Sequence, residues 1–413
     1  MPAFRFALAC LLAATLGLMA LPSASSAEGT SYVAVIDAGS SGTRLTLFAR
    51  AADVTADRIY RAPTGTPGLS SFATRPAAAG PEAVQPLLDQ LRSQLEAEGI
   101  AVADVPVALL ATAGMRRLAL DDPAAARAIL ASTRATIGDS GFPLRANRIL
   151  PDTQEASLAW LDANAAAGTL DRPADDIGIL EVGGASAQVA FRSPRTEGPG
   201  VSSLRVQGRD IHVVAISYLG LGANEARDLM QGQTGGGKEC FPNNASGNDP
   251  VDYLAGSLTP VPSAEASFRG FTCGRAYAGV VRDRAGEYPR ELRPRNLDAL
   301  PGFTRADFVG LGAVAVTYAD FRIDSDAPPR RALRQAMQTT CTGPDAWPAV
   351  RALFPTPTPS FAETQCSSAA YLGEFIFGPW GVGLDPSRFD PRPDFPGGQP
   401  SWPKGYAITV LHP

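Results

Sequence analysis

Histidine is nearly missing from this chain of 413 residues, which holds only His212 and His412. A multi-histidine metal centre is thereby excluded, and a Ser-His-Asp hydrolase would have to rest on one of those two. Basic charge is not in excess either. Lysine and arginine number 36 against 41 aspartates and glutamates, a net charge of −5, so no basic face for a nucleic-acid backbone is expected. Cysteine is sparse at five, and no CxxC pair supports zinc. Long apolar runs are missing after the first segment. Phe6 to Leu21 carries no charge, follows Arg5, and leads to Ser25-Ser26-Ala27, the small residues of a cleavage site. That pattern is a secretory signal over 1–27. It is short for a membrane span, so no membrane anchor is expected after cleavage, and the expected location is periplasmic or secreted.

Removing the signal removes Cys10 and leaves Cys240, Cys273, Cys341 and Cys366. An even count in an exported chain reads as disulfides. Four cysteines allow three pairings. The sequential one, Cys240–Cys273 with Cys341–Cys366, closes the shortest loops and is the one expected.

What the chain does have is a repeated signature. Residues 32–48 read as strand, Gly/Ser loop, strand, around Asp37-Ala-Gly-Ser-Ser-Gly-Thr-Arg44. Residues 178–191 do the same around Glu181-Val-Gly-Gly-Ala-Ser-Ala-Gln188. Asp37 falls on Glu181, Gly39 on Gly183, Ser41 on Ala185, Gly42 on Ser186 and Arg44 on Gln188, at the offset of one lobe. Glycine and serine let backbone N–H groups turn toward one point, making a nest for phosphate oxygens. The hydroxyls of Ser40, Ser41, Thr43 and Ser186 add donors. A carboxylate beside a phosphate repels it unless a divalent cation lies between, so Asp37 and Glu181 predict Mg²⁺ or Ca²⁺ held by oxygen ligands and waters. One such hairpin is usually only a tight turn. Two matched loops with matched acids imply two lobes gripping one polyphosphate.

Two further segments belong with these. Val107–Ala111 is a buried strand that delivers Thr112 at its carboxyl end, where α/β folds place ligands. Asp152 and Glu155 have the spacing of a helix capping box. The functional alternative makes Glu155 a general base at the head of a helix facing the cleft. In a chain almost without histidine, a carboxylate is the natural group for that task.

Together these residues resemble the apyrase family, the nucleoside triphosphate diphosphohydrolases. Asp37–Arg44 is similar to the first of the family's short regions, and Ala111-Thr-Ala-Gly-Met-Arg116 to the second. Glu155 with Trp160 and Asn164 resembles the third, Glu181–Gln188 the fourth and Ser401-Trp-Pro-Lys-Gly405 a weak fifth. Ser217-Tyr-Leu-Gly-Leu-Gly-Ala-Asn224-Glu-Ala-Arg227 is similar to a stretch that follows the fourth. The resemblance implies an α/β, actin/hexokinase-like fold of two lobes with a nucleotide cleft between them. It implies hydrolysis of nucleoside tri- and diphosphates to the monophosphate and orthophosphate, dependent on Mg²⁺ or Ca²⁺. It makes Glu155 the base, Ser186 and Gln188 the holders of the attacking water, and places Thr112 close to the scissile phosphate. Ser40, Ser41, Gly42, Thr43, Arg44, Gly183, Gly184 and Ala185 would bind phosphate, and Asp37 and Glu181 would orient metal-bound waters. Glu181 departs from the family's usual aspartate, which bears on metal preference. Pro403 is tolerable only at the first turn of a helix.

The expected organisation is a first lobe over 28–149 with a C-terminal return at 393–413, and a second lobe over 150–392. The spacing of Ala83, Val84, Leu87, Leu88, Leu91 and Leu95 predicts a long amphipathic helix, and Asp122-Pro123 predicts the start of another. Residues 231–300 read as irregular loops on a disulfide frame. Tyr318, Phe321 and Trp380 are candidate surfaces for stacking a nucleobase. A monomer is expected. The competing readings are an exopolyphosphatase or guanosine-tetraphosphate phosphatase on the same fold, and a nucleotide-binding protein without turnover.

Overall fold

The computed structural model describes residues 32–244, 252–253, 261–262, 264–354, 359–391, 393–396 and 398–413. The expected signal segment, 1–27, lies outside the described residues. Among the described residues, no helix is long and apolar enough to cross a membrane.

The chain builds two mixed sheets of one plan. In the first, β1 (Tyr32–Ala38), β2 (Thr43–Arg50) and β3 (Ala56–Arg61) form an antiparallel ladder. On the other side of β1, β4 (Val107–Ala111) and β5 (Leu144–Ile149) add in parallel, giving the order β3-β2-β1-β4-β5. Parallel joins need crossovers, and helices supply them. These are α1 (Gln85–Glu98) ahead of β4, then α2 (Ala113–Asp121) and α3 (Pro123–Asp139) between β4 and β5. Helix α1 buries Leu87, Leu88, Leu91 and Leu95 and stops at Gly99, whose φ of 68° is left-handed. Helix α3 starts where expected: the Asp122 carboxylate accepts from the N–H groups of Ala124 and Ala125, with Pro123 in the first turn.

After α4 (Asp152–Ala166) comes the second sheet: β6 (Ile177–Val182), β7 (Ser186–Arg192), β8 (Val201–Val206) and β9 (Arg209–Leu219). Helix α5 (Ala223–Thr234), a ribbon of β10 (Asp252–Tyr253) with β11 (Val261–Pro262), and α6 (Gly270–Ala285) follow. Strand β12 (Asp307–Gly312) then returns to the sheet, before α7 (Ala313–Asp320), α8 (Pro329–Thr340), α9 (Ala346–Ala352) and α10 (Pro359–Phe377). Short β13 (Phe389–Asp390) closes the order β13-β12-β6-β7-β9-β8. β6 pairs antiparallel with β7, and β7 with β9. On its other edge β6 pairs parallel with β12, and β12 with β13. Without β8, order and polarity repeat the first sheet. This is the two-lobed actin/hexokinase-like plan.

The last helix, α11 (Trp402–Leu411), carries Pro403 in its first turn. It lies against α4, and one apolar core holds both helices together with Val33, Val35 and Phe48 of the first sheet and Ile179, Ala190 and Val213 of the second. A Cβ at Gly405 would stand 1.9 Å from the Leu158 carbonyl oxygen, so glycine is what lets the two helices meet. Disulfides join Cys240 to Cys273 and Cys341 to Cys366, the sequential pairing. One correction concerns 231–300: this stretch is not all irregular, because α6 occupies Gly270–Ala285. Its glycines, Gly270 and Gly274, mask a helical pattern that burial of Cys273, Tyr277, Val280 and Val281 makes plain.

Candidate active site

Both inner hairpins are tied in the same way. The Gly39 N–H donates to the Gly42 carbonyl at 3.0 Å, and the Gly183 N–H donates to the Ser186 carbonyl at 2.9 Å. In the second hairpin the loop carbonyls are also held from behind. The Ala223 and Asn224 N–H groups, at the head of α5, donate to the Gly183 and Gly184 carbonyls at 2.8 and 2.9 Å. The Gly220 N–H donates to the Ala185 carbonyl at 2.8 Å. Oxygens drawn back leave nitrogens facing forward: the N–H groups of Gly184 and Ala185 have no acceptor among the described residues, and neither do those of Ser40, Ser41 and Gly42. Unpaired N–H groups turned to a common space are what a phosphate oxygen fits. The loops nearly touch, since a Cβ at Gly184 would lie 2.9 Å from Ser40 Oγ.

Gly39, Ser40, Ser41, Arg44, Thr112, Glu155, Glu181 and Gly183–Ser186 line one cleft of about 370 Å³, together with Asp37. Register places the acids in equivalent positions: Asp37 opposite Arg44 on β1 and β2, Glu181 opposite Gln188 on β6 and β7. Thr112 ends β4 and precedes α2, as the strand reading expected. Thr43 needs a correction. Its hydroxyl faces away and donates to the Pro67 carbonyl at 2.8 Å, and the residue is fully buried. Alternation along β2 sends Thr43 and Arg44 to opposite faces.

Glu155 does not form a capping box. The residue before α4 is Pro151, no side chain caps the helix, and the Asp152 carboxylate accepts from its neighbour Thr153 instead. Glu155 is buried, 8% exposed, and its Oε2 lies 2.7 Å from Arg116 NH2. Burial pushes its carboxyl above the ordinary 4.5, and the Arg116 guanidinium pulls it back. Arg116 also reaches Ser186 Oγ at 3.3 Å and Ser217 Oγ at 3.1 Å. Gln188 Nε2 donates to the same two oxygens, at 2.6 and 3.0 Å. With those lone pairs engaged, the Ser186 hydroxyl proton is free to point into the cleft. Arg116, Ser217 and Asn224, the last of which lines the cleft, lie within motif segments whose sequence alone does not mark them as part of the site. The signal for Arg116 was its place one turn after Thr112, on the same face of α2.

Asp37 and Glu181 stand at the base of the cleft. Burial, then the charge of Glu155, raises the Asp37 carboxyl from 3.8 to about 7, with Arg44 and Arg61 opposing. Glu181 is raised from 4.5 to about 8 by burial and then by the charges of Glu155 and Asp37. Its Oε2 is buried without a hydrogen-bond partner. An orphaned carboxylate oxygen beside two further acids fits a divalent cation. Among the described residues no cluster of three or more acidic, histidine or cysteine side chains could hold a metal by itself. Asp37 and Glu181 would therefore act through bound waters.

The three aromatic candidates do not meet at this cleft. Tyr318 is fully buried and its hydroxyl donates to the Pro329 carbonyl at 3.1 Å. Phe321 is 7% exposed, in the same core. The ring of Trp380 is covered by the Arg295 guanidinium, 4.4 Å from its centroid. The aromatic ends of α7 face inward, so Thr317 and Val316 line the cleft in their place.

Comparison with known proteins bears on the family and the fold. The profile of the GDA1/CD39 (nucleoside phosphatase) family matches residues 23–238, just over half of the chain. A protein described as probable apyrase 5 of Arabidopsis thaliana is 32% identical over 238 residues, covering 53% of this chain and 48% of its own length. A guanosine-diphosphatase of Schizosaccharomyces pombe is 32% identical over 216 residues, covering 48% of this chain and 37% of its own. The match thus spans about half, or less, of these curated relatives. Among solved structures, a nucleoside triphosphate hydrolase from Neospora caninum superposes with a TM-score of 0.54 over 92% of each chain, at 15% identity. That likeness speaks for the fold.

Proposed function

The chain belongs to the GDA1/CD39 (nucleoside phosphatase) family, and from that premise we propose that it is an exported apyrase. It hydrolyses nucleoside tri- and diphosphates, ATP and ADP among them, to the monophosphate and orthophosphate. The observation that carries this reading is the meeting of two matched loops of free N–H groups with a buried, arginine-paired Glu155. The loops hold the terminal phosphate. Ser186 and Gln188 orient a water, Glu155 takes its proton, the water oxygen bonds to phosphorus, and the bond to the bridging oxygen breaks. Thr112 and the loop N–H groups receive the charge that develops on the phosphoryl oxygens. A Mg²⁺ or Ca²⁺ ion, held through waters by Asp37 and Glu181, would neutralise part of that charge. Disulfides support an oxidising location, the periplasm or the outside of the cell, and the chain acts as a monomer.

Phosphate release from ATP and from ADP, with Mg²⁺ and then with EDTA, tests the reading. Metal-dependent release from both, ending in AMP, supports it. Release from polyphosphate or guanosine tetraphosphate alone would move the activity to the exopolyphosphatase class. Glu155→Gln is expected to lower turnover by about 10² to 10⁴, the range for a general base. Full activity in that variant would remove Glu155 from the mechanism.

A further inference from the structure

A second cavity, of about 760 Å³, is lined by residues of the second lobe and shares none of them with the interlobe cleft. Its size lies in the range of roughly 300–1,000 Å³ common to small-molecule sites. Buried α10 forms the floor, and α6 and α8 form the walls. The walls are apolar and partly aromatic, with Phe268, Phe271, Met337 and Phe377. Phe271 is 80% exposed, an unusual place for so large an apolar ring.

The polar groups are sorted by depth. Arg275, Arg330 and Arg334 are exposed at the rim. Arg330 and Arg334 sit one turn apart on α8, and Arg275 lies over the Phe271 ring at 5.7 Å. No acid among the described residues pairs with any of the three. At the floor is Glu374, half-buried and without a hydrogen-bond or ion-pair partner among the described residues. Two glycines make room for it: a Cβ at Gly274 would stand 3.0 Å from Glu374 Oε1, and one at Gly378 would stand 2.6 Å from Oε2. Burial raises the Glu374 carboxyl, and Arg330 and Arg334 oppose the shift.

A half-buried carboxylate asks for N–H donors. Aromatic walls ask for a flat apolar body, and a rim of arginines asks for an anion. A guanine mononucleotide offers all three in that order: paired ring and exocyclic N–H groups, a purine, and a phosphate. We propose that this cavity is a nucleotide site separate from the catalytic cleft, in which Glu374 receives the N–H edge of guanine and Arg275, Arg330 and Arg334 hold the phosphate. The proposal does not depend on turnover at the cleft, and its test reads binding alone.

Labelled GMP is measured by equilibrium dialysis against the intact protein in EDTA, alongside IMP, guanosine and dodecyl phosphate. The expected result is GMP binding that weakens about tenfold or more in Glu374→Gln and in the double variant R330A/R334A, as for lost charge-assisted bonds. IMP, which lacks the 2-amino group, binds more weakly than GMP to the wild type and equally to Glu374→Gln. Guanosine is indifferent to the arginine variants. Because Arg330 and Arg334 are exposed, those variants keep the fold, so their result stands even if Glu374→Gln unfolds. GMP binding that is missing, or unmoved by the arginine variants, overturns the site. Dodecyl phosphate binding as tightly as GMP, with Glu374→Gln without effect on either, overturns the guanine assignment.

Discussion

The loop Gly39–Gly42 and the loop Gly183–Ser186 close on the same backbone bond and hang from strands that end in an acid, yet the residue set against that acid differs. In the first lobe it is Arg44, exposed and cationic. In the second it is Gln188, buried and neutral, with its amide spent on Ser186 and Ser217. Arg44 helps hold down the carboxyl of Asp37, whereas the charges that act on Glu181 are those of Glu155 and Asp37, which raise it. In the proposed function the same fold element serves as a phosphate clamp on one side and a holder for water on the other. Glu155, on the helix between the lobes, serves the second loop through Arg116, which reaches across from the first lobe.

Exchanging the two residues breaks this division most severely. Gln188→Arg puts a second guanidinium beside Arg116 and replaces the neutral amide, with its carbonyl acceptor, by a donor-only cation. Turnover of ATP is expected to fall by about 10³, in the range lost with a positioned polar group at the reacting centre. The reciprocal Arg44→Gln is expected to cost only about tenfold, chiefly in KM, as for one exposed charge. Steady-state kinetics on both variants checks this, and equal losses would mean that the loops are not specialised. Between these lies Gly222→Ala. A Cβ there would stand 2.3 Å from the Ala185 nitrogen and 2.4 Å from that of Ser186. The second loop must move, at a cost of about 1–3 kcal/mol in stability for overpacking and about 10² in turnover for a displaced site. Thermal unfolding and kcat together separate the two effects.

Much of this was legible in the sequence because loops and strands declare themselves locally. Gly/Ser between two β-rich runs fixes a hairpin, and the matching acids give the pairing of lobes. Ser217 was not legible as part of the site. A serine inside β9 looks like any strand residue until Gln188 is seen opposite it. The opposite error befell Tyr318 and Phe321, since aromatic content says what can stack but not which way a short helix faces. Glu155 shows a third case: Asp152 with Glu155 fits a local rule, but Pro151 heads the helix and Arg116 claims the carboxylate. A tertiary ion pair took precedence over a local cap.

The weakest expected effect concerns Asp37 and Glu181 in the absence of divalent cations. Asp37 is raised to about 7 and Glu181 to about 8, from 3.8 and 4.5. Between about pH 4 and 8 the folded protein therefore holds protons that the unfolded chain has released. Stability falls as pH rises wherever the folded state binds more protons. In EDTA the thermal midpoint should decline from pH 5 to pH 8 and level off above. The double variant D37N/E181Q keeps both sites neutral, so its decline should be shallower than that of the wild type. Other acids, the buried Asp162 and the partly exposed Glu225 among them, are also raised, so the difference between the two proteins is the quantity to read. Saturating Mg²⁺ or Ca²⁺ should lift the wild type more at pH 8 than at pH 5, because a cation favours the ionised carboxylates. It should do little for the variant. Parallel curves for both proteins in EDTA would mean that Asp37 and Glu181 ionise normally and that the cleft is wetter than its geometry implies.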